Sequence, residues 1–303
     1  MITIPELNMF NNSYYDAYKG IYSLIAHEVT QLRSMFPEGA VNNINGYKVG
    51  ILTKIVYASN SFMMIIENNH DYSSAATILR SIADNLASYI LIYHNRNNDE
   101  ILLRHYLFLY DGLRTRLEAM QSIHPSGDGT ILEREKEEIQ NGVMNAITDT
   151  KKAMDFSLKE IRNNALYKNH KKEIEYLICL DHENWRYSSL KNYKQRLSWK
   201  KMYPLINGKE SSGYFLSYLS QYVHGLSSSN LIVKNTNPHT FEPMISIGVT
   251  FLGKILEFAQ NDFGVPKEIL QKDFFKTVYG KNHLSYVNTS YLERFVNDIS
   301  ISI

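Results

Sequence analysis

The sequence predicts an all-α protein, a multi-helix bundle with additional peripheral C-terminal helices. Three observations predict this class. Apolar residues recur with a spacing near 3.6 through most of the 303 residues. All seven prolines stand where helices are expected to end, and no series of strand-like alternating segments occurs. With 44% hydrophobic and 21% charged residues, the chain has an ordinary globular composition and enough apolar residues for a sizeable core.

Prolines, glycines and polar clusters divide the chain into helices and loops. The segments HPSGDGT and KNTNPHTFEP, residues 124–130 and 234–243, are the clearest loops. The apolar spacing predicts helices over residues 12–35, 40–68, 72–95, 98–123, 130–163, 166–180, 187–202, 211–226, 244–262, 266–278 and 288–299.

The composition of individual helices indicates where they lie. The helices over 40–68 and 244–262 hold the longest apolar stretches. Each stretch is interrupted by a lysine or is shorter than the roughly 20 residues that a bilayer requires, so we interpret both as core helices. The helix over 130–163 begins acidic and ends basic, which suits the helix dipole. We expect a main bundle over residues 1–233 and C-terminal helices over 234–303 packed on it.

Charge and cysteine content limit the classes of function. The formal net charge is +1, so any attraction for nucleic acid must be local. Cys179 is the one cysteine, which excludes a disulfide within the chain and favours a reducing compartment. The N-terminus lacks the basic and apolar regions of a signal peptide. We therefore expect a cytoplasmic protein with no membrane partner.

The stretch from Tyr72 to Tyr93 carries only two charges, Arg80 and Asp84. A helix that is apolar nearly all round is buried among others, and the four-residue spacing puts both charges on one face. Because a buried charge needs a partner, two interpretations follow. The pair is a core ion pair that fixes how the helix packs. Alternatively, it lies in a cleft where Arg80 holds a phosphate or carboxylate and Asp84 orients it.

The segment SYLSQYVHGLSSSN, residues 217–230, has no formal charge. His224 is its one group that titrates near neutrality. Tyr222 belongs to an apolar face, and the seam beside it carries serines, a glutamine and His224 where a surface helix usually carries charges. We interpret His224 either as a satisfied core or helix-end residue or as a general base that faces the two charges of the upstream helix.

The stretch NWRYSSLKNYKQRLSWKKMY, residues 184–203, is basic, aromatic and free of acids. Lys and Arg neutralise phosphates and aromatic rings stack on unpaired bases, so the composition fits a single-stranded nucleic-acid surface. An amphipathic helix with docked aromatics and solvated lysines also fits, as does a site for small anions or an acidic partner. The candidate nucleic-acid-binding residues are Trp185, Arg186, Lys191, Lys194, Arg196, Trp199, Lys200 and Lys201.

Several catalytic and cofactor motifs are absent from the sequence. It has no phosphate-binding glycine loop, no cysteine pair for zinc and no serine-hydrolase elbow. A Glu-x-x-His pair, Glu67 and His70, lacks the second such element that a di-iron helical bundle needs. We therefore expect neither a metal nor another cofactor.

The elements LRSIAD and SQYVHG, with the basic tryptophan-containing stretch between them, resemble a broad bacterial family of all-helical proteins of unknown function. That family has an Arg-x-x-x-Glu element on a buried early helix and a Tyr-Val-His element on a late one. Here Asp84 stands in place of the Glu. The family is similar to the HEPN superfamily, many members of which are RNA-cleaving toxins or phage-defence effectors. The HEPN hallmark, an Arg four to six residues before a His, is absent at His224.

The resemblance implies an RNA-acting protein of a bacterial stress or defence system, in its catalytic version a metal-independent ribonuclease. In that version His224 is the general base, Arg80 stabilises the charged phosphorane, Asp84 orients Arg80 and Tyr222 lines the cleft. Its partner would be single-stranded RNA. The alternative is a non-catalytic binding or assembly module, whose tyrosine-rich surface forms a homodimer or binds a protein partner. The sequence leaves open whether the protein is an enzyme.

Overall fold

In a computed structural model the chain is all-α, as the sequence predicts. The structure describes residues 13–37, 41–122, 133–208, 210–223, 238–266 and 269. Within these residues there is no strand of a sheet, and an isolated antiparallel bridge joins Tyr187 to Arg196. The all-α fold class is therefore confirmed.

The described residues form α-helices separated by short turns. A π-helical turn, Ile65–Asn69, extends α2, and a 3₁₀ turn, Ala165–Lys168, precedes α6. The helices are α1 (Ser13–Met35), α2 (Ile44–Met64), α3 (Tyr72–Tyr93), α4 (Asn98–Gln121), α5 (Glu133–Asn163), α6 (Lys171–Cys179), α7 (Trp199–Met202), α8 (Pro204–Asn207), α9 (Glu210–Val223) and α10 (Glu242–Phe263).

Most predicted helices agree with these bounds to within a few residues. The predicted helix over 187–202 is wrong except for its last turn, α7, because residues 187–198 form a loop. The helix predicted over 288–299 lies outside the described residues. The same is true of the helix predicted over 266–278, apart from residues 266 and 269, so both stay predictions.

The chain forms two compact units. Unit 1 comprises Met1–Gly39, Asn45–His94 and Trp199–Ile303, and unit 2 comprises Ala40–Ile44 and Asn95–Ser198. The predicted boundary after residue 233 lies outside the described residues, so the division into a main bundle and a C-terminal part stays a prediction.

Unit 1 is built around α3, which contacts α7, α8, α9 and α10. Its inward positions, such as Leu79, Ala83 and Leu86, are fully buried, as its apolar composition predicts. Helices α1 and α10 also pack together. At their contact, a Cβ atom on Gly248 would lie 2.6 Å from Cε2 of Tyr18, so the Tyr18 ring packs directly on the α10 backbone because this residue is glycine.

The segment Ile44–Asn68, which contains α2, is long and apolar enough to cross a membrane by length and composition alone. Over half of its most apolar window, 56%, is buried inside the protein. That burial is typical of the core helix of a soluble protein, which is the interpretation that the sequence favours.

In unit 2, α4 packs against α5 and carries the buried Arg104. Nη1 of Arg104 donates to the carbonyl oxygens of Trp185 and Tyr187, at 2.9 and 3.0 Å, and its guanidinium lies 3.8 Å from the Tyr187 ring centroid. Backbone bonds from Ser188 to Gln195 and from Leu197 to Arg186 close the loop. Residues 187–198 are not helical because Arg104 and these cross-loop bonds engage their backbone groups.

Replacing Gly248 by alanine is expected to destabilise the protein by about 1–3 kcal/mol, because the added methyl group overlaps the Tyr18 ring. Urea unfolding followed by circular dichroism measures the change. Gly142, inside α5, has open space around it, and a Cβ atom added there would meet nothing within 4 Å. Gly142→Ala is therefore the control, expected to stabilise by about 0.5–1 kcal/mol. Equal stabilisation by both substitutions would contradict the close α1–α10 contact.

Candidate functional site

The two charge-poor helices of the sequence meet in unit 1. Nε of Arg80 on α3 donates to Oγ of Ser220 on α9, at 2.9 Å, across 140 residues of sequence. Nη1 of Arg80 forms an ion pair with Asp84, one turn further along α3. The Tyr203 hydroxyl donates to the same Asp84 oxygen at 3.0 Å. The four side chains therefore form one hydrogen-bonded cluster, which we call the Arg80 cluster.

Two aromatic rings complete the surroundings of Arg80. Its guanidinium carbon lies 4.6 Å from the centroid of Tyr203 and 5.5 Å from that of Trp199. These two rings stack at 6.2 Å with an interplanar angle of 21°. Arg80 is 8% exposed, and this burial lowers the pKa of its guanidinium. Such cation–π contacts stabilise a guanidinium that has left water.

The geometry favours the core interpretation of the pair over the cleft interpretation. The positive charge of Arg80 is balanced by Asp84, and two of its three nitrogens are engaged by Asp84 and Ser220. A guanidinium offered to a phosphate would be more accessible and less fully compensated. The Asp84 side chain is 33% exposed, so the cluster reaches the surface on its acidic side.

Tyr222 lies in a separate tyrosine group at the start of α3. Its hydroxyl is 2.7 Å from that of Tyr218, and its ring meets Tyr72 edge-on at 5.2 Å. Burial raises the pKa of Tyr222, and it raises the pKa of Tyr72 to about 12. Tyr72 precedes Arg80 by two helical turns, about 12 Å. Tyr222 therefore packs against the start of α3, two turns before the position of Arg80 along that helix.

His224 lies outside the described residues, directly after the end of α9. The catalytic assignments of His224, Arg80, Asp84 and Tyr222 stay predictions.

The basic aromatic stretch is divided between the two units, and its first two candidates are buried in unit 2. Trp185 is 5% exposed and meets Phe108 edge-on at 5.0 Å. Arg186 is 6% exposed and pairs with Glu183. Neither side chain is presented to solvent in this fold, and the contact of Trp185 and Arg186 with nucleic acid stays a prediction. Both face inward because Arg104 binds the loop backbone beside them.

The rest of the loop forms a basic, aromatic surface on unit 2. Lys191, Lys194 and Arg196 are exposed. Nζ of Lys194 lies 5.9 Å from the ring centroids of both Tyr176 and Tyr193, and these two rings meet edge-on at 5.0 Å. We call Tyr176, Lys191, Tyr193, Lys194 and Arg196 the hairpin surface.

A second surface of similar chemistry lies on unit 1. Lys200 and Lys201 of α7 are exposed, and Nζ of Lys200 lies 3.9 Å from the ring centroid of Tyr214, which is 63% exposed. Trp199 and Tyr218 border them. A Cβ atom on Gly213 would lie 2.6 Å from the Lys200 carbonyl oxygen, so glycine allows α7 and α9 to touch. We call Trp199, Lys200, Lys201, Tyr214 and Tyr218 the α7–α9 surface.

A buried charge cluster at the end of α3 has no signal in the sequence. Nε2 of His94 lies 3.2 Å from Glu257 and Nδ1 lies 3.3 Å from Asp262, both on α10. The Tyr89 hydroxyl donates to Asp262 at 3.0 Å, and Lys254 pairs with Glu257 at 2.5 Å. Hydrogen bonds to Asp262 and Glu257 raise the pKa of His94 to about 9, and the bond from His94 lowers the pKa of Glu257 to about 2.

Both ring nitrogens of His94 face carboxylates, so the imidazole joins α3 to α10 rather than facing a ligand. The cluster cannot be predicted from the sequence because His94 and its acids, more than 160 residues apart, look like ordinary helix-end charges. Across the part of the chain that the structure describes, no group of three or more His, Cys, Asp or Glu side chains is arranged to hold a metal ion.

No protein-family model, curated protein or solved structure matches the chain. What is shown of the resemblance drawn from the sequence is the all-helical fold alone. The cytoplasmic location and the place in a bacterial defence or stress system stay predictions.

The His94 cluster predicts a specific loss of stability at alkaline pH. The folded pKa of His94, about 9, exceeds the ordinary value of 6.5, so the protonated ring stabilises the fold. This contribution, up to about 3 kcal/mol, is complete below pH 6.5 and disappears as the pH rises through 9. Between pH 6 and pH 10 the free energy of unfolding should therefore fall more for the wild type than for His94→Gln. Urea unfolding at the two pH values measures both changes.

The control for this measurement is His239→Gln, because the His239 side chain is 79% exposed. This variant should keep the pH dependence of the wild type. If His94→Gln also kept it, His94 would not be the titrating group.

Proposed function

We propose that the protein is a non-catalytic RNA-binding protein with two separate single-stranded RNA sites, the hairpin surface of unit 2 and the α7–α9 surface of unit 1. The observation that carries this proposal is shared by both units. In each, a lysine ammonium lies within 6 Å of the centroid of an exposed tyrosine ring: Lys194 near Tyr176, and Lys200 near Tyr214.

The chemistry of these surfaces suits an unpaired strand. Lysine neutralises backbone phosphates, and an exposed aromatic ring stacks on a base with a gain of about 1–3 kcal/mol. No acid occurs from residue 184 to residue 203, so this stretch itself holds no carboxylate that could neutralise its exposed lysines. A double helix would hide the base faces that tyrosines contact, so the surfaces favour single strands.

The hairpin surface is preorganised for binding. The loop is held from beneath by Arg104, which is fully buried, and by two backbone bonds across the loop. Its exposed side chains therefore project from a fixed backbone, which lowers the entropy lost when a ligand binds.

Binding is favoured over cleavage because of the state of Arg80. A ribonuclease would use this guanidinium to stabilise the charged phosphorane, yet it is buried and balanced by Asp84. The charges left for phosphate contacts are the exposed lysines and Arg196, which suit holding a strand rather than cutting it.

The test is fluorescence anisotropy with a labelled 15-nucleotide oligouridine at several salt concentrations. Lys191→Ala/Lys194→Ala and Lys200→Ala/Lys201→Ala are each expected to weaken binding about 10-fold at low salt. Each should also reduce the slope of log binding constant against log salt concentration by about 1.4, since about 0.7 ions are released per single-strand phosphate contact. The control with the same charge change is Lys151→Ala/Lys152→Ala, two exposed α5 lysines outside both surfaces, which should change affinity less than twofold.

Two results would contradict the proposal. The first is absent or salt-insensitive binding by the wild type, or equal weakening by the control pair. The second is cleavage of the labelled strand by the wild type but not by His224→Ala, which would establish the catalytic version instead.

A further inference from the structure

The outward face of α2 carries a groove that shares no residue with the proposed RNA surfaces. The groove has a volume of ≈ 340 Å³ and is lined by α2 residues from Gly46 to Tyr57, so it lies within unit 1. Ligand pockets have volumes of about 300–1,000 Å³, and their walls are mainly apolar and aromatic with a few polar groups. The groove therefore has the size of a small-molecule site.

Glycine forms the floor of the groove. Gly50 lies one turn after Tyr47 and one turn before Lys54, so its missing side chain leaves a notch between their side chains. A Cβ atom added to Gly50 would meet nothing within 4 Å, so the notch is open space. Tyr57, which is 63% exposed, follows two turns later on the same side of the helix. A flat ring system in the notch would therefore contact tyrosine rings, whose faces and edges favour aromatic partners.

A single cation supplies the charge of this groove. Among the lining residues Lys54 alone is charged, and it is exposed. It forms no ion pair or hydrogen bond with any residue that the structure describes. The Thr53 hydroxyl, by contrast, donates to the Val49 carbonyl oxygen at 2.8 Å, so the helix backbone already uses it. An anionic group on a bound ligand would therefore find its counter-charge at Lys54, in a charge-assisted hydrogen bond.

We propose that the groove binds a small aromatic acid, a fused-ring compound that carries one carboxylate, sulfonate or phosphate group. Its rings occupy the notch at Gly50 beside Tyr47 and Tyr57, and its acidic group pairs with Lys54. Residues four apart are neighbours on the surface of a helix, so one small molecule can make both contacts. This inference concerns α2 alone and does not depend on RNA binding.

The first test fills the notch in the full-length chain. The probe is 1-anilinonaphthalene-8-sulfonate, an aromatic acid whose fluorescence rises when it leaves water, and titration should show saturable binding. Gly50→Leu should weaken this binding about 10-fold, because the leucine side chain occupies the open space. The matched control is Gly142→Leu in α5, where a Cβ atom also meets nothing within 4 Å, and it should change the affinity less than about twofold. Both glycines lie inside helices, where leucine is favoured, so both variants are expected to fold.

The second test examines the charge of the ligand. Lys54→Gln should weaken binding of the sulfonate about 2–5-fold, since an exposed charge pair contributes modestly. The same variant should change binding of N-phenyl-1-naphthylamine, which has the same rings and no charge, less than about 1.5-fold. Lys159→Gln, an exposed lysine of α5, is the control with the same change of charge, and it should leave the affinity for both compounds as in the wild type.

Four results would overturn the proposal. The first is an equal effect, or no effect, of the two glycine substitutions on binding of the sulfonate. The second is an equal effect of Lys54→Gln on the charged and the uncharged compound, because the groove would then not select an anion. The third is a dimer in sedimentation velocity that dissociates in Gly50→Leu, since a second copy would then occupy the groove. The fourth is displacement of the sulfonate by the 15-nucleotide oligouridine, which would assign the groove to an RNA strand.

Discussion

Unit 1 depends on one buried cation that must keep its partners. Arg80 remains charged at any physiological pH, so its removal from water is tolerated only where acceptors and aromatic faces compensate it. Asp84 comes from the same helix, whereas Ser220 comes from α9 and the two rings come from α7 and the turn before α8. Arg80 thus fixes which residues of α7 and α9 lie against α3. The exposed positions of Lys200 and Tyr214 follow from that arrangement.

Two further buried cations act on the same principle. In unit 2, Arg104 binds the carbonyl oxygens of a loop that would otherwise have no regular partners. At the end of α3, His94 bridges two carboxylates of α10. In all three places a buried cation joins segments of the fold and does not face solvent. In the proposed RNA-binding function, the groups that contact the ligand are the lysines and tyrosines of the two surfaces.

Periodicity alone predicted most helices, because a 3.6-residue apolar pattern reports directly which face of a helix is buried. The contact between α3 and α9 was also foreseeable, since two helices almost without charge have little reason to face water. The loop at 187–198 was not, because its shape depends on Arg104, about 80 residues earlier, which looks like an ordinary helix residue in the sequence. The His94 cluster escaped prediction for the same reason: its acids and its histidine are adjacent only after folding.

The most direct test of this account is a double-mutant cycle between Arg80 and Asp84, measured by urea unfolding. If the pair is architectural, either Arg80→Met or Asp84→Asn alone leaves a buried group unpaired, and the second substitution then adds little. We expect a coupling free energy of about 1–3 kcal/mol between the two sites. The exposed pair Lys152–Asp149 provides the reference, with an expected coupling below about 0.5 kcal/mol. Additive effects at Arg80 and Asp84 would contradict the central claim that this ion pair holds unit 1 together.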